Sequence, residues 1–275
     1  MTQPDHDTEH GETALATELI EGGSDLAGAA AGAAIGLIGG PLGAVGGAAT
    51  GAVLARVLRH VGSDLKQRLL GPREEVRVGA AAAYAGATIK ALLDIGEHPR
   101  EDEFFAAQEG GQRPPAEELL EGVLLKARDA YEEKKVKYLG TLFALVAFRA
   151  EISPAHANHL LEVASRLTYR QLVVLAVATD DDGRTRLRDS SYRSDDQATQ
   201  ALGVEGVGLI TEIYDLYQQG LLNDATGSAW ISVRDVHPAA MRPQGSGHLL
   251  ALLMGLAAIP HEDREDVYRL LARDR

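Results

Sequence analysis

The sequence predicts a mainly α protein: an N-terminal helix patterned by glycine, a central helical domain, and a C-terminal unit of helices around a short β segment. Three observations predict it. Residues 26–55 carry no charged side chain and repeat Gly at intervals of four. Apolar residues recur at helical spacing through much of the following hundred residues. Helix start and stop residues punctuate the chain where those patterns change. The expected organisation is an acidic flexible tail over 1–20, the glycine-patterned segment over 21–62, a helical domain over 63–178 and a C-terminal domain over 179–275.

The tail comes first. Residues 1–25 contain Asp5, Asp7, Glu9, Glu12, Glu18, Glu21 and Asp25 and no Lys or Arg. A secretory signal needs a basic start followed by an apolar run, so the expectation is a cytoplasmic protein with a solvated N-terminus.

Residues 26–55 hold nine Gly, eleven Ala and eight large aliphatics. Gly disfavours an isolated helix by about 1 kcal/mol relative to Ala, so a flexible linker is the reading to be tested. A linker scatters its glycines, whereas a packing helix aligns them. Gly28, Gly32, Gly36 and Gly40 are spaced by four, and Gly43, Gly47 and Gly51 continue the spacing. At about 100° per residue all nine glycines fall in an arc of roughly 140°. Leu26, Ile35, Leu37, Ile38, Leu42, Val45 and Val53 lie outside it; Leu54 is the exception. The segment is divided by size, with no polar side. Such a small face lets two helix backbones approach closely. It leaves Ile35, Ile38, Leu42 and Val45 for lipid or for a protein core.

Thirty helical residues span roughly 45 Å, enough for a hydrocarbon core of about 30 Å. Pro41 removes one backbone hydrogen bond and predicts a kink, or a hairpin whose arms are too short to cross. The eight large aliphatics contribute only roughly −2 to −5 kcal/mol to insertion, and no Trp or Tyr flanks the segment. These features suit conditional insertion after assembly. If the segment spans, seven basic residues against three acidic ones between Arg56 and Lys90 keep the following side cytoplasmic, and the short acidic tail crosses. Residues 26–55 resemble glycine-zipper membrane proteins, a group that includes channels and pore-forming toxins. The resemblance implies homo-oligomerisation and contact with membrane lipid, and by analogy a toxin-like or antiviral defence role.

Beyond Gly71-Pro72 the spacing predicts a helix over 73–95 with a small-residue surface at Ala80 to Ala83, Ala85 and Gly86, closed by Gly96 as C-cap. Residues 98–115 read as a loop touched by Phe104-Phe105. One long helical pattern follows from Ala116, with Leu120, Leu124, Ala127, Tyr131, Tyr138, Leu142, Leu145 and Val146 on its apolar face and Glu132-Glu133-Lys134-Lys135 on its solvated face. Ser153-Pro154 starts another helix. Thr168 and Gln171 form a capping-box pattern opening a helix over 169–178. A polar loop over 180–197 precedes a helix over 198–219 that stops at Gly220, and residues 230–236 alternate like one strand of a hairpin. Helices over 249–258 and 262–272, separated by Pro260, complete the chain.

From Thr168 onward this order resembles a winged-helix module, with Ile213 to Tyr217 near the end of the would-be recognition helix and Ala229 to Val236 as the wing. The pattern departs from DNA-binding members in charge: residues 198–219 hold Glu205, Glu212 and Asp215 and no Lys or Arg. With a net charge of −13 over the chain, phosphates are repelled, so the expectation is no nucleic-acid partner and a protein partner for the C-terminal domain.

No cysteine is present, which excludes disulfides, thiolate catalysis and Cys-bound zinc. His156, His159 and Glu162 form a drifting row with metal-ligand spacing. Asp180-Asp181-Asp182-Gly183 lacks the alternation and closing Glu of a calcium loop. Gly203, Gly206 and Gly208 follow no strand and lack the dinucleotide-binding order. The expectation is therefore a non-enzymatic protein with no cofactor and no metal. Its rivals are a soluble helical adaptor that buries the glycine helix, and an enzyme built on the 180–197 loop or the His156 row.

Overall fold

The computed structural model describes residues 57, 61, 72–107, 112–189, 195–227 and 232–272. The glycine positions Gly28, Gly32, Gly36, Gly40, Gly43, Gly47 and Gly51, and the aliphatics Ile35, Ile38, Leu42 and Val45, lie outside the described residues, as do the tail and Pro41. Val57 and Val61, four apart in helical backbone, are both buried. The described residues are mainly helical, with one two-stranded antiparallel sheet. The chain divides into two compact units, the first ending at Ser165 and the second beginning at Arg166.

In the first unit, α1 (Pro72–Asp94) packs on α2 (Pro115–Asp129) and most extensively on α3 (Glu133–Val146). The alanine surface of α1 makes this contact close. A Cβ added to Gly140 of α3 would fall inside contact distance of the Ala81 carbonyl oxygen and 3.2 Å from the Ala85 nitrogen. Ala81 and Ala85 are themselves fully buried. Backbone therefore meets backbone, and small side chains are the condition for it. α1 ends in a Schellman arrangement: Gly96, at φ +85°, donates to Leu93 and Glu97 donates to Leu92, each at 3.0 Å.

Arg100 then pins the connecting segment. Its backbone N–H donates to the Ala147 carbonyl and its guanidinium to the Ile152 carbonyl and to Asp102, while its plane covers the Phe104 ring at 4.4 Å. Phe104 lies in a 3-10 turn (Glu103–Phe105) and is buried. α4 (Pro154–Arg166) opens with Ser153, whose hydroxyl accepts the His156 N–H. It seats Leu161 against Gly122 of α2.

The expected continuous helix from Ala116 is two helices. Ala130 and Glu132 take extended backbone, breaking the run. Tyr131, read as an apolar-face residue, is 83% exposed. The apolar stripes of α2 and α3 are each in phase with their own helix, and the helices pack on one another, which a single straight rod forbids. The charge run is also not uniformly solvated. Lys135 is buried, with its ammonium donating to the Ser165 carbonyl at 2.6 Å, in the last turn of α4.

The second unit is organised around α5 (Tyr169–Thr179). Every residue from Gln171 to Ala178 is buried, as an all-round apolar helix requires. Its capping box is complete: Thr168 accepts the Gln171 N–H at 3.1 Å and the Gln171 side chain accepts the Thr168 N–H at 2.9 Å. Within the expected polar loop, α6 (Asp181–Arg184) forms one helical turn, and Leu187 bridges Ala272. α7 (Asp195–Gln218) is broken at Gly203, whose φ of +69° and ψ of 178° lie outside helical space. Gly220 ends it, with Gly220 donating to Tyr217 and Leu221 to Leu216.

Among the described residues of the expected β segment, 232–236, none is in a strand. Val233–Asp235 is a 3-10 turn headed by Ser232, whose hydroxyl donates to Asp235. The strands are β1 (Leu222–Asp224) and β2 (Met241–Pro243), paired antiparallel with Asn223 opposite Arg242. Short apolar alternation around Val233 imitated a strand, while the real pairing is between segments too short to show a period. α8 (Ser246–Leu253) starts close against Leu221, where Gly247 leaves no room for a Cβ. After a 3-10 turn at Leu256–Ala258, α9 (His261–Leu270) returns to α5.

Candidate functional site

Among the described residues, the C-terminal unit has a cleft where α6 meets α9. Its centre is Asp180, the residue that leaves α5. One oxygen of its carboxylate accepts the Gly183 N–H at 3.0 Å and caps α6; the other accepts the Tyr268 hydroxyl of α9 at 3.1 Å. Gly183 is required here, because a Cβ would strike the Tyr268 hydroxyl oxygen and lie 2.6 Å from Asp180. The cavity has a volume of about 230 Å³ and is lined by Asp180, Asp182, Arg186, His261, Arg264 and Tyr268.

The electrostatics follow from these contacts. The Gly183 N–H holds the Asp180 carboxyl below its ordinary range against the opposing effect of burial, helped by Tyr268 and the charge of Arg264. Burial, then the neighbouring Asp180 charge, pushes the Tyr268 phenol up. At neutral pH the pair is a carboxylate and a neutral phenol, each committed to the other. Arg186 stacks over the Tyr268 ring at 4.1 Å and forks onto both oxygens of Glu265, at 2.6 and 2.8 Å. His261 reaches the same carboxylate at 3.3 Å. The arrangement ties α6 to α9 and gives the cleft a rim of both signs. It pairs no Ser, Thr or Lys nucleophile with a base.

The acidic helix expected in a recognition role is partly neutralised within the unit. Arg170 of α5 pairs with Glu212 and Glu205 of α7. Tyr214 and Tyr217 stack with ring centroids 6.4 Å apart on the same helix. Behind β1, His237 Nδ1 lies 3.2 Å from a carboxylate oxygen of the buried Asp224 and fastens the segment between the strands.

The sequence-derived metal row does not converge. The His156 and His159 rings are 6.4 Å apart, and Glu162 accepts the Lys126 ammonium at 2.6 Å. No group of three or more His, Asp or Glu among the described residues is placed to hold a metal ion. Asp180-x-x-Gly183, set aside as a calcium loop, is a helix-capping turn inside the stretch expected to be a polar loop. The partnership with Tyr268, 88 residues away, had no sequence signal. No protein family, curated protein or solved structure matches the chain.

Proposed function

We propose that this chain is a non-enzymatic, membrane-active effector that oligomerises through residues 26–55, with its helical units as the folded body that carries and restrains that segment. The observation that carries the reading is the division of those residues by size: Gly28, Gly32, Gly36, Gly40, Gly43, Gly47 and Gly51 share one helical arc, and Ile35, Ile38, Leu42 and Val45 stand outside it. The small face joins copies of the chain, and the bulky face meets lipid. The C-terminal unit, winged-helix-like in placing a helix before two short antiparallel strands, serves as a protein-docking module. Its acidic α7 suits a protein surface better than phosphates.

A second reading is a soluble adaptor that keeps the glycine helix inside an oligomer core. Two observations favour it. Val57 and Val61, just beyond that segment in sequence, are buried. The one described helix long and apolar enough to cross a membrane, Arg73–Asp94, is more than half buried.

The deciding experiment crosslinks and fractionates the full chain, its Gly36→Leu and Gly47→Leu variants, and an Ala49→Leu variant on the other face. The first reading expects wild-type protein in the membrane fraction and crosslinked multimers lost in the two glycine variants only. Multimers without membrane association select the adaptor. Equal loss in all three variants removes the sided zipper on which both readings stand.

A further inference from the structure

In the first unit, a cavity of about 200 Å³ lies where α2, the Ala130–Glu132 turn, α3 and the end of α4 meet. Lys126, Asp129, Tyr131, Glu132, Lys135 and Ser165 line it. Lys135 is the unusual member. It is 6% exposed, so its alkyl stem is packed, yet its ammonium reaches the cavity wall and donates to the Ser165 carbonyl at 2.6 Å. Tyr131, the large aromatic left almost fully in solvent, stands at the mouth. A desolvated amine beside a second ammonium, here Lys126 in the same lining, is an arrangement by which lysine is made nucleophilic.

We propose that Lys135 is a reactive amine that condenses with short hydroxylated aldehydes admitted to this cavity. This does not rest on the membrane reading. The choice of electrophile follows from the lining. Lys126 is paired with Glu162 and Asp129 with Arg128, and Lys135 and Glu132 balance one another, so the field favours no net charge on the ligand, while the exposed Tyr131 hydroxyl offers a partner to a ligand hydroxyl. The volume, about 200 Å³, suits a small molecule. The chemistry needs no added oxidant or reductant. The Lys135 ammonium first gives a proton to solvent. The nitrogen lone pair then forms a C–N bond to the carbonyl carbon, and the carbonyl oxygen takes up a proton as the carbinolamine forms. Loss of water leaves a reversible imine.

Burial pushes Lys135 down to about 8, with the Lys126 charge acting in the same direction and Glu132 against both. An amine at that value is uncharged roughly one time in ten at pH 7, against about one in three thousand for an ordinary lysine.

The test treats the full chain at pH 7 with limiting glycolaldehyde and cyanoborohydride, followed by peptide mass mapping. Lys135 is expected to label at least about tenfold faster than its exposed neighbour Lys134. Unfolding in urea should abolish the preference. Lys137 is the internal control: it is also lowered by burial but does not line the cavity. Labelling of Lys137 as fast as Lys135, or of Lys135 no faster than Lys134, overturns the proposal. Tyr131→Ala, at an exposed position that leaves the fold intact, is expected to slow Lys135 labelling severalfold; an unchanged rate also overturns the assignment of this cavity as the site.

Discussion

At Lys135 a positive charge sits where the folded chain penalises it, and that sets a stability signature. Its folded value of about 8 lies below the 10.5 of a solvated lysine. Below pH 8 the buried charge is fully present in the fold and so is its penalty. Between pH 8 and 10.5 the unfolded chain holds a proton that the folded chain has released, so stability rises with pH. The difference corresponds to roughly 3 kcal/mol. Tyr84 and Tyr268, raised by burial, act in the opposite direction above pH 10, so the comparison belongs below that. Urea unfolding from pH 7 to pH 10 should show wild-type protein gaining on Lys135→Met by on the order of 2 kcal/mol. Parallel pH profiles for the two proteins would show that the amine is not held as the structure places it.

At the scale of elements, the α1–α3 contact depends on one missing side chain. Ala is a better helix former than Gly by about 1 kcal/mol, so Gly→Ala in a helix interior is favourable unless the added methyl has no space. Gly122 and Gly140 separate the two effects. A Cβ at Gly122 would meet only the tip of Leu161 at 3.0 Å, and a leucine tip can rotate away. A Cβ at Gly140 meets the α1 backbone, which cannot. Gly140→Ala should lose about 2 kcal/mol, in the range of overpacked cores, and Gly122→Ala should be neutral or slightly stabilised in thermal unfolding. Equal effects would remove the backbone-to-backbone contact as the organising feature of the first unit.

The elements also show where sequence was informative. Thr168 with Gln171, Ser153 with Pro154, Gly96 and Gly220 marked helix ends correctly, because caps are made by residues within one turn of each other. The break at Ala130–Glu132 was hidden because none of its residues is a breaker; packing of α2 on α3 imposes it. The pairing of Leu222–Asp224 with Met241–Pro243 was hidden because three residues are too few to display a period. The candidate sites were least legible. Asp180 finds Tyr268, and Lys135 finds Ser165, through tertiary contact alone.

For the whole molecule, the decisive question is where the bulky side of residues 26–55 goes. If Ile38 and Val45 face lipid, an Arg at either position adds on the order of 3 kcal/mol to insertion, comparable with the estimated apolar gain of the whole segment. One charge is then enough to hold the segment out of the membrane. The two helical units should survive it, because their cores are built from their own residues, from Leu119, Leu139 and Phe143 in one and from Leu172, Leu209 and Met254 in the other. Ile38→Arg and Val45→Arg are therefore expected to keep the wild-type circular dichroism and thermal transition while losing dye release from anionic liposomes. The net charge of −13 makes this assay demanding, since the anionic lipid surface repels the chain as a whole. Release should then rise as salt screens that repulsion. If the Arg variants unfold while wild-type protein leaves liposomes intact, Ile38 and Val45 belong to a protein core, and the chain is the adaptor, its glycine helix packed among its own copies.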